Sequence, residues 1–578
     1  MRIGPLLPPT LALLVAAAGC SADTTATSEM GTPSGDLAGT PPPDLGAASI
    51  DLAPAINPKP TIAPWLGTNI AADLPRVDVT YQLAPFDTPM AKRDANGYPV
   101  AGASGTSRTD IGFILPTGNY TISYRGTGQL AVSGIGKLTG AWQAAAGEQR
   151  AVVAIIGSPG AFGNFLTLTI QNGANQTVTD LHILSPGFDY DTTTVFLPQF
   201  IRILQPFRAL RFMDWESTNN STIANWSDRP TAAAFGQSPN GQPWEHIVAL
   251  INQTGKDAWL TIPEHATDDF VRALGQFLTA NLDFGRIKAA RDAAGFTTPF
   301  QILFEVANET WNGGFSAYGT LLAAAEANPM RYDGVYDGTY GPSWMSQNAD
   351  LMRVGQYEAD RLVQAATLLR AALGTVGKSD VISPVLSGWA LGTAYSDVGL
   401  RFIKAHVGDP KASISHVAIA PYFGPDDSQT ATLAALFASC EQNITSMDST
   451  YKDFARLVAD YGLTMAAYEG GQGISGTTNQ PIKHLAQHDA RMHQAYVDYL
   501  SLWNMDFGAS LFMHFSLAGD PGLPEFIYQY GYWGSIIGVL EDPVACAASL
   551  PTLTGNEAIA DVVHHCPKYA ALAEQVPK

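Results

Sequence analysis

Short apolar runs alternate with helix-like stretches along the chain after residue 177. This repeat is typical of parallel β/α architecture, in which each buried strand is followed by a helix that covers the sheet. Eight strands with intervening helices are enough to close a barrel. The predicted strands lie at residues 181–184, 210–213, 258–262, 301–306, 381–386, 416–420, 464–467 and 509–515. The sequence therefore predicts a (β/α)8 TIM barrel with a C-terminal extension over residues 178–578.

Two of the predicted strands are followed closely by a glutamate. Glu309 comes after strand 301–306, and Glu469 comes after strand 464–467. A charged side chain at the exit of a buried strand is costly unless it is paired or used in chemistry. The carboxyl ends of the strands of a closed parallel barrel meet on one face, where such barrels build their active sites. We therefore expect both glutamates to face one site, although either alone could be a helix N-terminal charge or an ion-pair member.

Two carboxyl groups at one site suit the cleavage of a glycosidic bond. Cleavage with retention needs one protonated and one ionised carboxyl, roughly 5–5.5 Å apart. Glu309 has apolar neighbours, and Trp311 is close in sequence, which would raise the pKa of the Glu309 carboxyl. Arg211 on the second predicted strand and Tyr422 after the sixth could supply the positive charge and hydrogen bond that keep Glu469 ionised.

The Asn308-Glu309 pair after strand four and the glutamate after strand seven resemble the clan A glycoside hydrolases, of which family 5 is the nearest comparison. The resemblance implies that Glu309 is the acid/base and Glu469 the nucleophile of a retaining double displacement on β-glycosidic bonds. It also implies that Asn308 donates to the sugar 2-hydroxyl and that Arg211 flanks the nucleophile.

Polar and aromatic side chains near the same predicted strand ends are candidates for substrate binding. The stretch from Arg211 to Trp215 is either a substrate-contact wall or an ion-paired loop, and Trp533 is the candidate sugar platform. Glu264 is a third acid near this rim and would replace Glu309 if the strand register were wrong. The substrate-binding candidates are Asn308, Arg211, Tyr422, His265, Trp311, Trp533, Asp214 and Trp215.

The first 20 residues predict a lipoprotein signal peptide. Arg2 precedes an apolar run over 6–18 that is too short to span a bilayer permanently. The small residues before Cys20 resemble a bacterial lipobox, and Ser21 favours an outer-membrane or cell-surface position. An ordinary secretory signal would give the same extracytoplasmic compartment without the anchor. Residues 21–63, rich in Thr, Pro, Ala, Gly and Asp, predict a disordered tether.

Residues 64–177, between the tether and the barrel, predict an all-β sandwich accessory domain. Short alternating runs are separated there by Gly- and Asn-containing turns. Such a domain could bind carbohydrate or only support the barrel. Near the C-terminus, Cys546 and Cys566 flank a short segment and could form a disulfide, which would leave Cys440 unpaired.

The charge of the chain limits the kinds of molecule that it is expected to bind. A formal net charge of −20 argues against nucleic acid, because phosphate binding relies on clustered Lys and Arg. The sequence has no nucleophile elbow, Walker loop or His-Glu-Xaa-Xaa-His string, which argues against an esterase, a nucleotidase and a zinc protease.

No metal or other cofactor is expected. We expect a monomer, held at the membrane only through Cys20, with endo action on a neutral polysaccharide or oligosaccharide. The alternative is a non-catalytic surface glycan-binding lipoprotein.

Overall fold

The computed structural model describes most of the chain from residue 62 onward. The described residues are 62–70, 76–83, 86–87, 89–100, 105–111, 115, 117–156, 165–172, 177–236, 238, 240–335, 348–508, 510–519, 532–536, 542–562 and 564–577. The predicted signal peptide, the lipidated Cys20 and the tether up to residue 61 lie outside these residues, so they stay predictions.

The strands and helices of the described residues are numbered in chain order. The strands are β1 Ala63–Asn69, β2 Gly105–Ile111, β3 Gly118–Arg125, β4 Gln129–Gly134, β5 Gly136–Leu138, β6 Gln143–Ala145, β7 Glu148–Ile155, β8 Leu166–Asn172, β9 Thr179–Leu184, β10 Phe207–Arg211, β11 Asp257–Ile262, β12 Ile302–Val306, β13 Ile382–Ser387, β14 His416–Ile419, β15 Thr464–Ala467 and β16 Phe512–His514. The α-helices are α1 Pro198–Ile203, α2 Trp244–Thr254, α3 Asp268–Asn281, α4 Phe284–Ala294, α5 Ser316–Glu326, α6 Ala349–Gly374, α7 Ala394–His406, α8 Pro410–Ser413, α9 Leu433–Asp460, α10 Gln480–Ala486, α11 Ala490–Phe507, α12 Pro543–Ala548, α13 Ile559–Val562 and α14 Pro567–Ala573. Short 3₁₀ helices lie at Thr80–Gln82, Met90–Lys92, Trp226–Asp228, Ser379–Val381 and Asp427–Gln429.

Eight parallel strands form a closed barrel in the order β1-β10-β11-β12-β13-β14-β15-β16. Strands such as β11 and β12 are buried along their whole length. Their apolar runs follow from this burial, because helices cover the outer face while side chains fill the interior. The interior is packed by residues that include Ala209, Trp259, Leu303, Val385 and Met513. The predicted TIM barrel is confirmed.

The first barrel strand is not the predicted one. Residues 181–184 belong to β9, which pairs antiparallel with β3 in the sandwich. The barrel instead begins at β1, which pairs with both β10 and β16. The sandwich is therefore inserted between the first and second barrel strands, and the barrel does not start at residue 178. The strand signal of β1 is weak because Gly67 is required there: a Cβ atom at this position would lie 2.1 Å from Sδ of Met513.

The inserted domain consists of two antiparallel sheets, which confirms the predicted sandwich. One sheet has the order β2-β8-β4, and the other has the order β5-β7-β3-β9 with β6 paired to β7. The sheets contribute to one apolar core, which takes Ile122 and Val153 from the larger sheet and Leu168 and Ile170 from the smaller. Apolar side chains that face this core, and polar side chains that face away from it, account for the short alternating runs in the sequence.

The C-terminal segment packs back onto the barrel. Cys546 and Cys566 form a disulfide, as predicted, and Cys440 is a buried free thiol in α9. The Tyr569 hydroxyl of α14 donates to the Ile203 carbonyl oxygen over 3.1 Å, which ties the segment to α1. Among the described residues, no helix is both long and apolar enough to cross a bilayer.

Candidate active site

Glu309 lies in the sharp turn that follows β12. Ala307 and Glu309 adopt φ values of 53° and 45°. These left-handed conformations are strained in residues other than glycine, and such strain gathers at functional sites. The Asn312 side chain donates to the Glu309 carboxylate over 3.0 Å, and its backbone N–H donates to the Glu309 carbonyl oxygen over 2.8 Å. The turn thus directs a buried carboxyl out of the strand end.

Glu469 leaves β15 beside two glycines. A Cβ atom at Gly470 would lie 2.5 Å from the Phe512 ring, and one at Gly471 would lie 2.7 Å from the Tyr496 hydroxyl oxygen. Gly471 also has a φ of 135°, which side chains rarely adopt. Only glycine therefore fits at both positions. The Glu469 carboxylate is nearly buried, yet both its oxygens accept hydrogen bonds.

The two donors to Glu469 are the predicted ones. Nη1 of Arg211 donates to Oε1 over 2.8 Å, and the Tyr422 hydroxyl donates to Oε2 over 2.8 Å. Burial and then the negative charge of Glu469 raise the pKa of Tyr422 well above its usual value, so this hydroxyl remains a donor. The Glu469 carboxylate is therefore paired with a fully buried guanidinium and a neutral phenol.

Arg211 is the centre of a buried polar network beneath the site. Its side chain is 0% exposed and donates to Glu305 over 2.7 Å, to Asn69 over 2.9 Å and to Asn308 over 2.7 Å, in addition to Glu469. Burial acts against the charged guanidinium, yet the two nearby carboxylates raise the pKa of Arg211 above its usual value. One cation therefore orients the side chains that follow or end three different strands.

Glu305 is a member of this network that sequence reasoning missed. It lies within β12, is 0% exposed, and accepts from Nε1 of Trp259 over 3.0 Å. Burial raises the pKa of Glu305 to about 7. The sequence does contain a signal for this residue. A glutamate inside the apolar run Ile302–Val306 is costly to bury unless it points into the barrel towards a partner. Asn69 was missed because its strand was missed.

The two predicted catalytic carboxyls have opposite surroundings. Burial, followed by the negative charge of Glu469, raises the pKa of Glu309 to about 8. The hydrogen bond from Asn312 favours the charged form of Glu309 but does not outweigh these effects. Glu309 is thus held protonated near neutral pH, while Glu469 is paired with a cation. This is the asymmetry that a proton donor and a nucleophile require.

Both glutamates line one cavity at the carboxyl ends of the barrel strands, as predicted. The cavity is open to solvent, and the free space between its walls and at its mouth amounts to about 430 Å³. Aromatic and apolar side chains form much of its wall. The lining residues are Met213, Asn308, Glu309, Phe315, Tyr422, Glu469, Gly473, Ser475, Phe515 and Trp533.

Several predicted substrate-binding residues lie in or beside this cavity. Asn308 receives the bond from Arg211 on its Oδ1 and donates from Nδ2 to Asn219 over 3.1 Å, which fixes the amide. Trp533 lines the cavity and meets Phe515 edge to face. Trp311 lies beside the site, where its Nε1 donates to the hydroxyl of Tyr468 over 3.0 Å.

The two substrate-binding candidates that follow the second predicted strand, Asp214 and Trp215, lie in different surroundings. Asp214 is exposed and interacts electrostatically with Glu469 and Arg211, so it lies near the site. Trp215 corrects the prediction: it is 6% exposed and packs against Phe196, Phe200 and Phe212. Its ring belongs to the apolar core between α1 and the strand end, and it does not line the cavity of the described residues.

Glu264, the alternative acid/base, forms its hydrogen bonds with residues of α5. Its carboxylate accepts from the Ser316 hydroxyl over 2.8 and 3.0 Å and from Thr320 over 3.3 Å, at the start of α5. His265 is exposed and lies 3.4 Å from the same carboxylate. Neither residue lines the cavity within the described part of the chain. No group of three or more His, Cys, Asp or Glu there could hold a metal ion.

No family profile and no curated protein matches this sequence. Solved structures of similar fold include the CBM22-1 and GH10 modules of an endo-1,4-β-D-xylanase from Clostridium thermocellum complexed with xylohexaose (12% identity, 88% of this chain and 96% of that chain, TM-score 0.34). A broad-specificity endoglucanase from Ruminococcus champanellensis with bound cellotriose gives 12% identity, 68% of this chain, 87% of that chain and a TM-score of 0.34. These values are too low to support an assignment, which must come from the site itself.

Proposed function

We propose that this protein is a retaining glycoside hydrolase that cleaves β-glycosidic bonds. One observation carries the proposal: two glutamates at the ends of β12 and β15 line one cavity in opposite electrostatic surroundings. Glu309 has its pKa raised to about 8, and Glu469 accepts from Arg211 and Tyr422. A site that only bound sugar would have no use for a protonated carboxyl beside an ionised one, which disfavours the non-catalytic glycan-binding alternative.

The proposed reaction has two steps. A carboxylate oxygen of Glu469 attacks the anomeric carbon while the Glu309 carboxyl gives its proton to the leaving glycosidic oxygen. The bond to the leaving group breaks, and a glycosyl ester forms on Glu469. Glu309, now ionised, removes a proton from a water molecule that attacks the same carbon. This second inversion restores the original configuration and releases Glu469 as a carboxylate.

Asn308 is placed to position the sugar. Its Oδ1 accepts from Arg211, so its Nδ2 must face outward, and one of the two Nδ2 hydrogens is used by Asn219. The second hydrogen remains for the 2-hydroxyl, a contact that strengthens in the transition state of such enzymes. This role agrees with the resemblance to clan A, family 5-like enzymes.

We infer a neutral polysaccharide or oligosaccharide as the substrate, cleaved internally. The described lining offers apolar surface at Met213, Phe315, Phe515 and Trp533 and contains no lysine or arginine that would bind a sugar acid. Long connections follow β12, β14 and β15 and would wall an extended cleft. We also propose that Cys20 carries a lipid anchor that holds the enzyme at the outer membrane or cell surface. Mass spectrometry of the mature N-terminus tests the anchor separately from the activity.

The test is hydrolysis of a panel of neutral β-linked polysaccharides, with sizing of the products. Glu469→Ala should lower activity on every substrate by several orders of magnitude, because the covalent step is lost. Glu309→Ala should retain activity on an aryl glycoside whose leaving group needs no proton, and azide should accelerate its turnover. Glu264→Ala tests the alternative acid. Full activity of both Glu309→Ala and Glu469→Ala on the same substrate would overturn the proposal.

A further inference from the structure

Two tryptophans stack beside the site on loops that follow neighbouring strands. Trp311 follows β12 and Trp389 follows β13, and their ring centroids lie 5.8 Å apart with an interplanar angle of 26°. Both side chains are half-buried. Because both loops leave the carboxyl ends of barrel strands, the pair lies on the same face of the barrel as the two glutamates.

The pair is tied to the catalytic carboxyls through Tyr468. The Tyr468 hydroxyl accepts from Nε1 of Trp311 over 3.0 Å and donates to the Gly388 carbonyl oxygen over 3.3 Å, next to Trp389. Tyr468 also interacts electrostatically with Glu309. The rings therefore adjoin the acid/base side of the site and do not stand apart from it.

The tryptophan pair and the cavity wall formed by Met213, Phe515 and Trp533 follow strands on different sides of the two glutamates. Going round the barrel from β12 to β15 in one direction passes β13 and β14, and in the other direction it passes β11, β10, β1 and β16. Met213 follows β10, and Phe515 and Trp533 follow β16, so these cavity walls lie on the second path. Trp389 lies on the first path, as does Tyr422, which follows β14 and also lines the cavity. A sugar chain that passes over both carboxyls would contact aromatic surface on each side.

The Trp389 ring is less engaged with the apolar core than the Trp311 ring. Trp311 packs against the main apolar core, whereas Trp389 is not among the described side chains that do so. Leu391, two residues further on, is 74% exposed. Exposed apolar surface thus lies within two residues of Trp389. A partly exposed, flat indole suits the apolar face of a neutral sugar ring.

We propose that Trp389, backed by Trp311, binds the sugar units on the leaving-group side of the scissile bond. This subsite rests on the proposed glycosidase function, since Glu309 fixes which side the leaving group occupies. The occupant is the continuation of the same neutral polysaccharide, which crosses from the cavity over Glu309 onto the indole. The cavity then takes the sugar that becomes attached to Glu469.

The experiment compares two substrates of the sugar identified by the polysaccharide panel. The polysaccharide fills both sides of the site, whereas a β-glycosyl fluoride places only a fluoride ion on the leaving-group side and needs no proton to release it. Trp389→Ala should lower the ratio of kcat/KM on the polysaccharide to kcat/KM on the fluoride about tenfold, the scale of one lost stacking contact. Trp389→Leu keeps an apolar side chain without a flat ring and gives the same test if Trp389→Ala does not fold.

Trp142 provides the matched control. It is also half-buried and meets an aromatic ring, that of Tyr124, edge to face, but it lies in the sandwich. Trp142→Ala should leave the ratio unchanged. If wild type cleaves both substrates and the Trp389 variants keep the wild-type ratio, the subsite is refuted while the glycosidase function stands. If wild type cleaves neither the fluorides nor any polysaccharide of the panel, the glycosidase function itself fails.

Discussion

The raised pKa of Glu309 makes a quantitative prediction about the dependence of activity on pH. The acid/base must be protonated to release the leaving group, so kcat/KM should fall as pH rises through the pKa of this carboxyl. Burial and the charge of Glu469 place that pKa at about 8. We therefore expect the basic limb of the profile to begin near pH 8, well above the range of an ordinary glutamate.

The size of the effect follows from the two pKa values. At pH 7 a carboxyl with a pKa of about 8 is about 90% protonated, whereas one at the ordinary value near 4.5 is only about 0.3% protonated. The buried environment thus supplies about 300-fold more of the active acid at neutral pH. Above pH 8, kcat/KM should fall about tenfold for each further pH unit.

The assay is kcat/KM between pH 5 and 10 on a substrate with a poor leaving group. The same profile is then measured for Glu309→Ala on an aryl glycoside with a good leaving group, where the basic limb near pH 8 should disappear. A basic limb near pH 5 in the wild type would refute the reasoning, because Glu309 would then titrate as an exposed carboxyl does. A limb near pH 8 that persists in Glu309→Ala would show that another group causes it.

Two further predictions concern groups outside the reaction itself. The buried Lys568 ammonium donates to the Tyr532 carbonyl oxygen over 2.5 Å and so holds the backbone next to Trp533. Lys568→Met should raise KM several-fold with a smaller change in kcat, and it should lower the free energy of unfolding by about 1.5–3 kcal/mol. An unchanged KM would exclude a role of Lys568 in positioning Trp533. Burial raises the pKa of Glu216 to about 8, so its contribution to stability, present below pH 4.5, is lost as pH rises to about 8. Glu216→Gln keeps an acceptor for the Thr261 backbone N–H. It should raise the free energy of unfolding, measured with urea, by about 2–4 kcal/mol at pH 8 relative to wild type, with little change at pH 4.5. An equal gain in stability at both pH values would contradict this prediction.

The sequence predicted the barrel well where strands are long, apolar and followed by helices. Seven of the eight predicted barrel strands overlap observed barrel strands. β1 could not be recognised because packing of the barrel interior requires Gly67 there, and because Pro64 and Gly67 weaken the strand pattern. Residues 181–184 form a short, largely apolar run like those of the barrel strands, and only long-range pairing with β3 assigns them to the sandwich.

The site was predictable for residues with a local signature. Glu309 and Glu469 stand out because each interrupts an apolar run at a strand end. Trp215 was misassigned because an aromatic residue after a strand has the same sequence pattern whether it faces a ligand or a core. Arg211 hydrogen-bonds to side chains on or just after β1, β12 and β15. These bonds depend on barrel closure, which no local pattern encodes. The sequence therefore indicated the chemistry, and the fold supplied its electrostatic setting.

The central claim is that Glu469 forms a covalent bond to the sugar. The most direct measurement is peptide mass mapping after reaction with a 2-deoxy-2-fluoro β-glycoside that carries a good leaving group and the sugar found in the panel, since the fluorine slows hydrolysis of the glycosyl ester. The account predicts a single glycosyl adduct on the peptide that contains Glu469, and none in Glu469→Gln. An adduct on another residue, or turnover of the natural substrate with inverted configuration and no adduct, would contradict it.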